Sequence, residues 1–165
     1  MNIKALLEEM SFREKSAWVS TLVIGYVIFV YLRDMNNLSA NDALTIVSMK
    51  KELIQAVFIT VMLNILGHVV IGIIDKNQAE VDADERDSLI DLQANNLGYT
   101  TLAVAVFVSL FLLWFMGDTP ELYQHRLLFE ELPVSYNVFN VLVVGFLISE
   151  LVRYSAQVYY YRRGF

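Results

Sequence analysis

The stretch Leu92-Gln-Ala-Asn-Asn-Leu-Gly-Tyr-Thr-Thr-Leu-Ala-Val-Ala-Val-Phe-Val-Ser-Leu-Phe-Leu-Leu-Trp-Phe-Met-Gly117 runs for 26 residues without an Asp, Glu, Lys or Arg. A helix crosses the hydrocarbon core of a bilayer with about 17–25 mostly apolar residues. Three further charge-free runs have similar lengths: Ser16–Leu32 (17 residues), Leu53–Ile74 (22) and Leu132–Ser149 (18). Together they take up half of the chain, which predicts an all-α fold: a four-helix transmembrane bundle, read as one membrane domain over residues 1–165. The spans are expected at about 16–33, 52–74, 96–116 and 135–158.

Composition agrees and narrows the function. The chain is 56 % hydrophobic and 18 % charged, against about 45–50 % and about 25 % in an ordinary soluble domain. A net charge of −6 argues against nucleic acid, whose phosphates call for clustered Lys and Arg. The absence of cysteine excludes disulfides, thiolate zinc sites and thiol catalysis. The first apolar run follows Glu8, Glu9 and Glu14 and has no small-residue cleavage site after it, so it reads as a retained helix.

Helix punctuation sets the ends. Ser11-Phe-Arg-Glu14 has capping-box spacing and predicts that the first long helix starts at Ser11. Ile3, Leu6, Leu7 and Met10 then form an i, i+3, i+4, i+7 stripe, predicting a short N-terminal interfacial helix over residues 3–10. Asp82 or Asp84 can cap a helix running unbroken into the third span. Thr119-Pro120-Glu121 predicts a short outer helix near residues 120–130. The segments before span 1, between spans 2 and 3, and after span 4 share one face and, with Arg153 in the last turns of span 4, hold eight Lys or Arg; the other face holds four. Lys and Arg favour the cytoplasmic side, so both termini are expected there. Trp18, Tyr99 and Tyr159–Tyr161 fall at the inner boundary, and Tyr31, Trp114 and Tyr136 at the outer one.

Small and polar residues recur every four positions: Ala17, Thr21, Gly25; Ala56, Thr60, Asn64, His68, Gly72; Thr101, Ala105, Ser109; and Gly145, Ser149, Arg153. In lipid, helices associate through such close-packing rows, so these are the expected seams.

Two groups of residues carry candidate chemistry. Asn64 and His68 of span 2, with Glu150 and Arg153 of span 4, are expected to form a polar intramembrane cluster. His68 lies seven residues before Asp75, and Glu150 eight before Val158, which puts both about 10–12 Å from the inner ends of their spans at about 1.5 Å per residue. Ionisable groups at that depth cost several kcal/mol unless paired. A carboxylate beside a histidine is the chemistry of a proton relay; the same four residues also serve as structural ion pairing and interhelical bonding. The second group is an acidic cytoplasmic segment with Asp82, Asp84, Glu85, Arg86 and Asp87, expected to stand clear of an anionic leaflet and face a cation or a basic partner. Its spacing lacks the glycine and order of an EF-hand loop, and leaves metal binding undecided. No motif for nucleophilic, zinc-peptidase or phosphate-loop chemistry is present, so the reading leans away from an enzyme and calls for no cofactor.

Ser11-Phe-Arg-Glu-Lys-Ser-Ala-Trp18, Asp84-Glu-Arg-Asp87 and Glu150-Leu-Val-Arg-Tyr-Ser-Ala-Gln-Val-Tyr-Tyr-Tyr-Arg-Arg-Gly164 resemble segments of a group of small bacterial four-span inner-membrane proteins of unknown function. The resemblance spans about residues 11–164. It implies a bacterial inner membrane and supplies no activity. The leading expectation is a non-enzymatic binding or regulatory module acting through its cytoplasmic face; the alternative is a small proton-coupled transporter or channel using Glu150 and His68. The partners this reading admits are membrane lipid, a cytoplasmic protein and further copies of the chain.

Overall fold

The computed structural model describes residues 10–41, 43–76, 84–118 and 134–163. These form four long helices: α1 (Phe12–Ala40), α2 (Ile46–Ile74), α3 (Glu85–Asp118) and α4 (Val134–Arg163). All four are long and apolar enough to cross a membrane. The interfacial helix expected over residues 3–10 lies, apart from Met10, outside the described residues, as do Asp82 and the helix expected near 120–130.

Each helix outruns its charge-free stretch. The 34 residues of α3 extend about 51 Å at about 1.5 Å per residue, well beyond a hydrocarbon core of about 30 Å. The helices begin where capping chemistry allows. The Ser11 side chain accepts from the Glu14 N–H at 3.1 Å and starts α1, as expected. The reciprocal half of that box is not made, because the Glu14 carboxylate turns to α4. A complete box starts α2 instead: Ser48 N–H donates to Thr45 Oγ1 at 3.1 Å, and Thr45 N–H donates to Ser48 Oγ at 2.8 Å.

The chain runs up, down, up, down. α4 packs most closely on α3, α1 lies against both α2 and α4, and α2 and α4 barely meet. The end where α1 and α3 begin and α2 and α4 finish is the near end. Toward the far end, Val27, Tyr31, Met35, Met49 and Leu147 form the main buried cluster. Elsewhere the apolar side chains face outward. Of the most apolar 18-residue stretch of α2 only 6 % is buried, and of α3 11 %. Val57, Phe58, Leu66 and Ile73 of α2 and Phe107, Leu110 and Trp114 of α3 are all exposed. A bundle in water would turn these faces inward; this exterior suits four helices that are long and apolar enough to cross a membrane.

Two seams follow the small residues. On α3–α4, a Cβ at Gly145 would lie 2.4 Å from Ala105 Cβ, and a Cβ at Gly98 would lie 3.0 Å from Arg153 Cβ and 3.3 Å from the Ser149 carbonyl oxygen. Ser109 and Ser149 are buried on the same seam and return their hydroxyls to carbonyls of their own helices. On α1–α2, Val19 fills the space over Gly67, and Ser20 donates to Asn64 Oδ1 at 3.1 Å. Gly72, in the expected α2 row, has nothing within 4 Å of its Cβ position.

Candidate functional site

Charged and polar side chains from all four helices interlock at the near end. Lys15, in the first turn of α1, pairs with Asp75 at the C-cap of α2 at 2.5 Å. Glu14, only 7 % exposed, pairs with Arg162 of α4. Arg13 reaches Asp87 of α3 at 3.1 Å. Asp87 is the hub: its carboxylate also accepts from the Tyr161 hydroxyl at 3.0 Å, while its N–H donates to Asp84 Oδ1 at 2.7 Å and caps α3. One turn on, Gln157 donates to Asp91 Oδ1 at 2.9 Å.

The acidic segment therefore divides. Asp84, Glu85 and Arg86 are exposed, whereas Asp87 and Asp91 face α1 and α4. α3 does extend beyond its charge-free run, but its first turns are braced on neighbouring helices. Among the described residues, no group of three or more histidines and carboxylates is placed to hold a metal ion.

Behind this ring lies a polar cavity of about 350 Å³. α1 contributes Arg13, Ser16 and Ser20, and α2 contributes His68. Asp91 comes from α3, and Tyr154, Gln157 and Tyr161 from α4. His68 Nδ1 lies 2.7 Å from the Asn64 carbonyl oxygen. A carbonyl oxygen only accepts, so Nδ1 carries a proton toward it.

The four intramembrane residues stand as two pairs. On α2, Asn64 joins Ser20 of α1 and donates to the Thr60 carbonyl at 2.9 Å, with His68 bonded to the Asn64 backbone. On α4, Arg153 donates to Glu150 Oε2 at 2.5 Å and lies 4.1 Å from the Tyr154 ring centroid. Among the described residues, no hydrogen bond or ion pair joins one pair to the other. α1 packs against both α2 and α4, which themselves barely meet. Asn64 and Glu150 instead line a second cavity, an apolar groove of about 400 Å³ between α2 and α4 over Ile24.

The Glu150–Arg153 pair is local to one helix turn, with both side chains 26 % exposed. Glu150→Gln keeps an acceptor for Arg153 and is expected to lower stability by less than about 1 kcal/mol; Glu150→Leu strands the guanidinium and should cost about 1–2 kcal/mol. Thermal unfolding in detergent reads the difference, and equal effects would mean that Arg153 does not depend on Glu150.

The far end holds a bond that the sequence hid. Tyr31 donates to Asn140 Oδ1 at 2.6 Å, the two residues being 2 % and 1 % exposed. By position Tyr31 belongs to the outer aromatic belt, yet its ring points into the bundle. The only hint in the sequence is the Asn137 and Asn140 pair in an otherwise apolar span.

The chain matches no protein-family model, no curated protein and no solved structure.

Proposed function

We propose that this is a non-enzymatic binding module of a bacterial inner membrane, with its near end in the cytoplasm. It acts there through the polar cavity. The observation that carries the reading is that all four helices line one polar cavity, beside three ion pairs that tie the first turn of α1 to α2, α3 and α4. Those pairs hold their charged groups in structural contacts, Arg13 alone among them also lining the cavity, which suits a shaped receptor better than a reaction centre. The resemblance supports the location, since its three segments meet at this end: Arg13 with Asp87, Glu14 with Arg162, and Tyr161 with Asp87. The excess of Lys and Arg at the near end supports the orientation.

Two measurements test this. Reporter fusions within residues 76–91 are expected to report the cytoplasm, and a periplasmic signal there overturns the orientation. Reconstituted into liposomes with an internal pH dye, the protein is expected to leave a proton gradient intact. Proton flux abolished by Glu150→Gln would replace the binding reading with transport through Glu150 and His68.

A further inference from the structure

We propose that the crevice between α2 and α4 is a binding site for one zwitterionic phospholipid bearing an ammonium headgroup, taken in sideways from the bilayer. This deepens the reading of the near-end cavity as a receptor and rests on it. The polar cavity and the apolar groove stack end to end along α1. They meet at Tyr154, which lines both, and at the Ser20–Asn64 bond, whose two ends line one each. Because α2 and α4 barely touch, no described element closes the crevice on that flank.

Shape and charge select the ligand. The lining runs from Phe12 to Ile24 on α1 and from Leu142 to Tyr161 on α4, about 18 and 28 Å at about 1.5 Å per residue. One leaflet, headgroup included, is about 20–22 Å thick. The deep part offers Val57, Val61, Phe146 and Leu147 to an acyl chain. The near part offers both signs of charge. Arg13 engages Asp87 through Nε and also lines the cavity, where its guanidinium has further N–H donors for a phosphate. Gln157 occupies Asp91 at Oδ1, so the other carboxylate oxygen serves an ammonium. One cation and one anion in the same lining suit a zwitterion better than a net anion. A helix from a second copy is a poorer occupant, because the groove faces only Leu53 to Asn64 of α2, about 17 Å, and the rest of the crevice is polar.

The test is native mass spectrometry and thermal unfolding of the delipidated full chain. The added probes are dioleoyl-phosphatidylethanolamine, dioleoyl-phosphatidylglycerol or soluble phosphoethanolamine. One ethanolamine lipid per chain is expected to be retained and to raise the unfolding temperature, about tenfold in preference to the glycerol lipid, the size of one charge-assisted bond. Val61→Trp adds bulk at a groove position that is 50 % exposed. It should fold normally without lipid but lose retention about tenfold. Asp91→Asn should keep lipid binding and lose the headgroup preference. Equal retention of both lipids, or full retention by Val61→Trp, overturns the site. Stabilisation by phosphoethanolamine alone makes the ligand water-borne and overturns the lipid. A dimer that Val61→Trp dissolves assigns the groove to a second copy. Failure of the receptor reading itself shows separately, as proton flux in the liposome assay.

Discussion

Gly145→Leu is expected to force α3 off α4, at a cost of about 3 kcal/mol, the upper part of the usual range for overpacking. The first atom added already collides, since a Cβ at position 145 would sit 2.4 Å from Ala105 Cβ. That neighbour is a methyl fixed to the backbone, with no rotamer to move into, so the helices must separate. Gly145→Ala should therefore lose about 1–2 kcal/mol. Gly72→Ala is the control. With nothing within 4 Å of its Cβ position, it should be neutral or gain up to about 1 kcal/mol of helix propensity. Thermal unfolding in detergent ranks the three. Ala105→Gly combined with Gly145→Ala should restore most of the loss; a Gly145→Ala protein as stable as the Gly72→Ala one would show that the seam is not close-packed.

Arg162→Ala is expected to have the second large effect. It leaves Glu14, only 7 % exposed, without its cation. Removing one partner of a buried ion pair costs about 3–5 kcal/mol. The Arg162 side chain is 39 % exposed and water reaches that side of the pair, so about 2–3 kcal/mol is expected. The loss comes from stranding a charge, so neutralising that charge should recover it. The double variant Glu14→Gln with Arg162→Ala is expected to be more stable than Arg162→Ala alone. If the double variant unfolds no later than the single one, the pair is only a surface contact.

The four helices were legible because a charge-free run of membrane length has few other uses. Their ends were less so. The start of α1 was readable from its cap at Ser11, but the run Ser16–Leu32 ends at Arg33, which looks like a stop. In the fold Arg33 pairs with its neighbour Asp34 at 2.7 Å, and α1 continues to Ala40. The row of Gly145 and Ala105 was readable from spacing, whereas Gly67 and Gly98 stand outside any row and show their use only when Val19 and Arg153 pack over them. Depth suggested that His68 and Glu150 share a level, but depth holds no information on which helices adjoin: His68 lines the polar cavity and Glu150 the apolar groove. The same gap explains Asp87. As a member of an acidic run it reads as solvated, and only the arrival of Arg13 and Tyr161 from distant parts of the chain makes it a hub.

The contact order of the helices has a consequence for how the chain assembles as it is made. α1 with α2, and α3 with α4, are hairpins of sequence neighbours, and each can close as soon as its second helix has been inserted. The joint between the hairpins is α1 against α4, and its polar matches are the most remote in the chain: Tyr31 finds Asn140 across 109 positions, and Glu14 must await Arg162. Until the last helix arrives, the Tyr31 hydroxyl and the Glu14 carboxylate are exposed liabilities on an otherwise finished hairpin. The union of the two hairpins is thus written into the packing, because α1 becomes fully satisfied only when α4 is present. A lone first hairpin displays unmatched polar groups that mark it as still awaiting its partner.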